Sequence, residues 1–195
     1  RISENKGKLP KGLVKIGNKP ILYHLIKYFK FYGSEKFIIC TGYKGDLIKN
    51  YFKKNLKANT YNNLNIKVIY TGLNANTGLR IRRIQKEIKD NFFLTYCDGL
   101  TNLNLRTLLK SYLRSKKIGI LTSINPQSRF GILSIKGNQI YNFDEKKKIY
   151  NLWTNAGFYI FNKKIFKFIN GDNPIFERQI LKKISKKKLI LSYKH

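Results

Sequence analysis

A chain of 195 residues is long enough for one domain with a substantial core and short of two ordinary ones. No apolar run approaches eighteen residues and no charged-then-apolar leader opens the sequence, which argues against a membrane-spanning helix and predicts a cytoplasmic protein. The formal net charge of +30 comes from 32 Lys and only 8 Arg spread along the whole length, a bias shared with Asn and Ile, so it fits a solvated Lys-rich face better than the Arg-bearing basic stripe of a nucleic-acid surface.

In chain order, residues 1–19 are polar, carry Gly and Lys without a sustained period, and predict a loop pinned at Leu9-Pro10-Lys11 by a proline before a lysine. Pro20 opens a helix at its first position, Leu22, Leu25, Ile26 and Phe29 share a face, and Gly33 stops it. Residues 36–43 form an apolar strand entering a glycine turn, followed by a helix over 46–52, an Asn-rich loop over 55–65 and a strand over 66–70. A glycine and asparagine loop then leads into a basic helix over 79–89. The stretch Phe92-Phe93-Leu94-Thr95-Tyr96-Cys97-Asp98-Gly99 reads as a buried strand with Asp98 at its carboxyl end, the edge at which open α/β sheets hold their ligands. A helix over 104–115 leads to a strand over 118–124, and period-two alternation on either side of Gly137-Asn138 marks a β-hairpin. A strand over 155–161, helices over 163–169 and 175–185, and a closing strand over 189–192 complete a single α/β domain with helices on both sheet faces. The chain starts at Arg1 and contains no methionine, which predicts a piece of a longer product.

Cys40 and Cys97 share no metal-ligand spacing, and His24 and His195 are the only histidines, so nucleophilic mechanisms built on histidine are disfavoured. Among ten carboxylates, Asp98 ends a strand and Glu145 ends the hairpin. Oxygen ligands without thiols or imidazoles suit a hard cation such as Mg²⁺, which commonly takes one carboxylate and completes its shell with substrate phosphates. Phosphate chemistry also asks for fixed cations, and Lys11, Arg80, Lys146 and Arg1 all fall in or beside loops next to strand ends.

These segments resemble the sugar-phosphate nucleotidyltransferases, closest to the glucose-1-phosphate cytidylyltransferases, nearly end to end. The resemblance is carried by Leu9-Pro10-Lys11, Gly42-Tyr43-Lys44-Gly45, Thr77-Gly78-Leu79-Arg80, Thr95-Tyr96-Cys97-Asp98-Gly99, Arg129-Phe130-Gly131, Phe143-Asp144-Glu145-Lys146, Asn155-Ala156-Gly157-Phe158 and Ile175-Phe176-Glu177. It implies a Rossmann-like nucleotide-diphospho-sugar transferase fold, with a mixed, mostly parallel sheet and a small hairpin subregion. It further implies that Arg1 closes a triphosphate loop and Lys11 stabilises the transferred phosphoryl group. Thr77, Gly78, Arg80 and Cys97 would bind the nucleotide, and Asp98 would bind Mg²⁺. Lys146 would hold the sugar phosphate, with Gly131, Glu145, Asn155 and Gly157 around the hexose. The implied reaction joins CTP, or another nucleoside triphosphate, to a hexose 1-phosphate, giving CDP-glucose and pyrophosphate in a possible homo-oligomer.

The sequence departs from the family pattern at Leu79, Cys97 and Ala156, where the family has glycine, and at Lys147, where it has proline. These changes bear on the base and sugar, not on the reaction class. The family's glycine loop and first strand would precede Arg1, and its second metal-binding Asp would follow His195, so the 195-residue chain by itself is expected to be inactive. A basic nucleic-acid-binding module is the competing class, carried by charge alone.

Overall fold

The computed structural model describes residues 9–57, 61, 64–128, 130–145 and 152–195. Pro10, with an extended backbone, heads a 3₁₀ turn over Lys11–Leu13. Strands β1 (Lys15–Ile16) and β2 (Lys19–Pro20) pair antiparallel across Gly17, so the expected loop carries a small hairpin. Pro20 takes the cap position and α1 (Ile21–Phe31) starts one residue later. Its predicted apolar face is the buried one: Leu22, Leu25, Ile26 and Phe29 all lie in the core.

β3 (Lys36–Thr41), α2 (Gly45–Lys57) and β4 (Asn65–Tyr70) form a strand-helix-strand unit whose strands pair in parallel, as a crossover helix requires. α3 (Thr77–Arg83) begins earlier than its sequence pattern indicates, and only a 3₁₀ turn over Gln85–Glu87 continues it. Distant groups cap its start. The Asn76 N–H donates to Asn173 Oδ1 at 2.7 Å and the Gly78 N–H to the Pro174 carbonyl at 3.0 Å.

β5 (Phe92–Thr95) precedes α4 (Leu105–Arg114), whose first turn is capped by Asn104 Oδ1 accepting from the amides of Arg106 and Thr107. β6 (Gly119–Ile124), the hairpin β7 (Ile132–Lys136) and β8 (Gln139–Asp144), and β9 (Thr154–Phe161) follow. The expected helices near the end are a 3₁₀ segment over Lys163–Phe168 and a π-helical segment over Phe176–Leu181 that runs into α5 (Lys182–Lys186). β10 (Ile190–Lys194) ends the chain of elements.

Four strands form a mixed sheet in the order β10-β6-β9-β5. β10 runs parallel to β6, whereas β9 is antiparallel to both its neighbours, so β5, β6 and β10 share one direction and β9 alone opposes it. The connection from β6 to β9 carries the β7–β8 hairpin among its described residues, not the crossover helix that parallel neighbours use.

β9 divides the core by simple alternation. Phe158 and Ile160 pack on one face with the apolar sides of α1 and α4. Tyr159 and Phe161 pack on the other with Ile81 of α3, Ile165, Phe166, Ile180 and Ile184. Helices therefore cover both faces, and no helix among the described residues is long and apolar enough to cross a membrane.

Candidate functional site

The site end of the sheet is where β5 finishes and β9 starts, with Thr95 paired to Phe158. Asp98 lies just past β5, and Lys11 reaches it from the turn that Pro10 heads: Lys11 Nζ donates to Asp98 Oδ2 at 3.0 Å. That turn is closed by Leu13 N–H to the Pro10 carbonyl at 2.8 Å and tied to α1 by Ile21 N–H to the Val14 carbonyl at 2.8 Å. A Cβ at Gly12 would touch Leu22 and Cys97 at 3.5–3.6 Å, so the turn sits directly against the residue before Asp98. Lys11 is 67% exposed and Asp98 31%, which makes the pair a minor contributor to stability and leaves both charges open to a ligand. Cys97 keeps part of its surface open, yet desolvation of the sulfur and the neighbouring Asp98 carboxylate raise its pKa above the ordinary thiol value. It is therefore a neutral thiol near neutral pH, not a nucleophile.

Thr77 and Gly78 form the first turn of α3. A Cβ at Gly78 would lie 2.7 Å from the Pro174 carbonyl oxygen, so only glycine lets the 174 segment cap this helix. Arg80 is engaged within the protein: Nη1 donates to the Thr41 carbonyl (2.8 Å) and Thr71 Oγ1 (2.9 Å), and Nη2 to the Leu73 carbonyl (3.4 Å). It ties the ends of β3 and β4 to α3, beside the Thr77-Gly78 turn with which it is expected to bind the nucleotide. Arg83 donates to the Thr71 carbonyl at the end of β4, and Arg82 ties α3 to the 169–172 segment through the Gly171 carbonyl, at 2.6 Å each.

Asn155 stands near the start of β9, and its Oδ1 accepts the Gly157 N–H at 2.9 Å. Gly157 has φ +81°, and a Cβ there would lie 2.9 Å from the Tyr96 ring. Gly157→Ala is expected to cost about 1–3 kcal/mol through left-handed strain and displacement of Tyr96. A urea midpoint equal to that of the parent chain would show that the ring and backbone yield freely. Gly131 and Glu145 flank the rung Ile132↔Asp144 at the open end of the β7–β8 hairpin, and no hydrogen bond or ion pair among the described residues joins them to Asp98 or Lys11. Arg1 and Lys146 lie outside the described residues, as does Arg129.

A polar chain that the sequence reading did not anticipate connects Thr77 to Asn155. Thr77 Oγ1 donates to Glu177 Oε2 at 2.8 Å, and Tyr96 OH donates to Glu177 Oε1. The Tyr96 and Tyr159 hydroxyls are 3.1 Å apart, and Asn155 Nδ2 donates to the Tyr159 hydroxyl. In the sequence, Glu177 enters only within Ile175-Phe176-Glu177, a segment that carries the family resemblance, and no role was assigned to its side chain. A separate cavity of about 310 Å³, lined by Gly42, Tyr43, Lys49 and Tyr70 among others, contains none of the expected site residues.

The nucleotidyl transferase family profile matches residues 7–190. The chain is 30% identical to the glucose-1-phosphate cytidylyltransferase of Salmonella typhimurium, covering 100% of this chain and 83% of that protein. It is 27% identical to the D-glycero-alpha-D-manno-heptose 1-phosphate guanylyltransferase of Aneurinibacillus thermoaerophilus, over 94% and 79% of the two chains. Among solved structures, HddC from Yersinia pseudotuberculosis superposes with a TM-score of 0.71 at 25% identity, covering 100% of this chain and 84% of that one.

Proposed function

Because the chain belongs to the nucleotidyl transferase family, we propose that it transfers CMP from CTP to glucose 1-phosphate, giving CDP-glucose and pyrophosphate. The observation that carries this reading is the Lys11–Asp98 pair: a cation and a carboxylate, 3.0 Å apart and both open to solvent, at the end of a sheet strand. The choice of CTP and glucose 1-phosphate is supported by the similarity to the Salmonella typhimurium enzyme over the whole chain.

In the proposed reaction an oxygen of the sugar 1-phosphate attacks the α-phosphorus of CTP in line, a new P–O bond forms, and the bond to the β-phosphate oxygen breaks with its electron pair leaving on pyrophosphate. No protein nucleophile takes part, in keeping with a neutral Cys97. Lys11 neutralises charge on the transferred phosphoryl group. Thr77, Gly78, Arg80 and Cys97 bind the nucleotide, and Arg80 also holds their loop. Asn155, Gly157, Gly131 and Glu145 surround the hexose, with Lys146 and Arg1 completing the phosphate contacts.

Asp98 is the residue that would hold Mg²⁺, which when bound neutralises phosphate charge. Among the described residues no three His, Cys, Asp or Glu side chains cluster. A lone, partly exposed carboxylate fits an ion that takes its remaining ligands from phosphates and water, the usual arrangement for Mg²⁺.

The test is pyrophosphate release by the complete gene product from CTP, UTP, dTTP and GTP, each with glucose 1-phosphate and Mg²⁺. CTP is expected to be consumed fastest, and Asp98→Ala to abolish the response to Mg²⁺. Faster consumption of GTP would reassign the base, and release from no nucleotide would overturn the reading.

A further inference from the structure

We propose that Glu177 is a positioning residue that fixes the nucleotide loop and the sugar pocket in register with each other, an inference that rests on the nucleotidyltransferase reading. An ionised carboxylate can only accept hydrogen bonds. A phenol hydroxyl has one proton to donate and accepts in return, and Tyr96 and Tyr159 each stand between two polar partners. These two facts set the direction of every bond in the chain.

Tyr96 gives its single proton to Glu177 Oε1, so its oxygen accepts from Tyr159. The Tyr159 oxygen in turn accepts from Asn155 Nδ2. The Asn155 amide cannot turn over, because its Oδ1 is needed by the Gly157 N–H at 2.9 Å. On the other side, Thr77 Oγ1 donates to Glu177 Oε2 and accepts the Phe176 N–H at 2.9 Å. All donors thus end on one carboxylate. Glu177 is itself held in place: Phe176, 1% exposed, packs against the rings of Tyr159 and Phe161. The segment begins with π-helical turns, a geometry that recurs at functional positions.

The consequence is a division of labour. Removing the carboxylate frees Thr77 and with it the nucleotide loop. Tyr159→Phe cuts the chain between Tyr96 and Asn155, leaving the Thr77 arm intact. With an amide at 177, one oxygen and one NH₂ replace two acceptors. Turning the NH₂ toward Tyr96 would reverse the bonds as far as Asn155, so the NH₂ settles against Thr77.

The experiment measures KM for CTP, KM for glucose 1-phosphate and kcat in the complete gene product and in Glu177→Ala, Glu177→Gln and Tyr159→Phe. Glu177→Ala is expected to raise both KM values about tenfold, Glu177→Gln to raise KM for CTP about tenfold, and Tyr159→Phe to raise only KM for glucose 1-phosphate, about tenfold. In each case kcat at saturation stays within about threefold of the parent. If Glu177→Ala fails to fold, the other two variants decide the matter. Parent KM values in those variants, or a loss of kcat alone, would overturn the proposal while the parent enzyme still turns over. An inactive parent would instead sink the functional reading, and this inference with it.

Discussion

Lys11→Ala is expected to lower kcat for pyrophosphate release by about 10²–10³-fold, because a single preorganised charge aimed at the reacting phosphate is typically worth that much. The effect should fall on turnover, not on folding. Lys11 is largely solvent-exposed and its bond to Asp98 is a surface pair, so urea unfolding of the variant should track the parent closely. Lys11→Arg keeps the charge on a planar, bulkier head and should recover only part of the activity. A Lys11→Ala enzyme with parent turnover would remove Lys11 from the catalytic set and weaken the whole assignment of this strand end.

The largest effect on stability is expected at Phe161. This side chain is 0% exposed, lies at the end of the central strand β9, and meets the rings of Phe92, Tyr159 and Phe176. Phe161→Ala should cost about 3–5 kcal/mol, the sum of lost transfer free energy and an unfilled cavity. Against a typical total of about 5–15 kcal/mol, that is enough to leave the chain partly unfolded at physiological temperature. Equilibrium urea denaturation checks it. A loss below about 1 kcal/mol would mean that the face formed by Phe161, Ile165 and Phe176 is not a load on the fold.

The Rossmann-like α/β fold was legible in the sequence because its signals are local. The spacing of Leu22, Leu25, Ile26 and Phe29 defined the buried face of α1, and period-two alternation about Gly137-Asn138 defined the hairpin. What escaped was decided by partners far along the chain. The direction of β9 is set by its antiparallel pairing with β5 and β6, and strand composition carries no sign of direction. The early start of α3 depends on Asn173 and Pro174, nearly a hundred residues away. The residues 163–168 and 176–181 have helical periodicity, yet they wind as 3₁₀ and π turns, a difference the spacing of apolar residues does not resolve.

The site was legible in part. The proline before Lys11 and the strand before Asp98 placed both residues at strand ends, and the structure brings them into contact. Arg80 was legible as a cation beside strand ends, but not its partners: a guanidinium with five donors beside the carbonyl-rich ends of β3 and β4 donates to them, and those groups are far from it in sequence. Tyr96 and Tyr159 read as plain strand residues, since nothing local tells a buried hydroxyl with a partner from one without.

The reversed central strand also sets a timetable for the newly made chain. β5 forms its only ladder among the described residues with β9, and β6 joins β5 only through β9. The sheet therefore cannot close until Phe161 has left the ribosome. At about 5–20 residues per second, the stretch from the end of β5 to the end of β9 takes roughly 3–13 s to synthesise. Throughout that interval the Phe92-Phe93-Leu94-Thr95 edge is available to chaperones, or to the same segment of a neighbouring nascent chain.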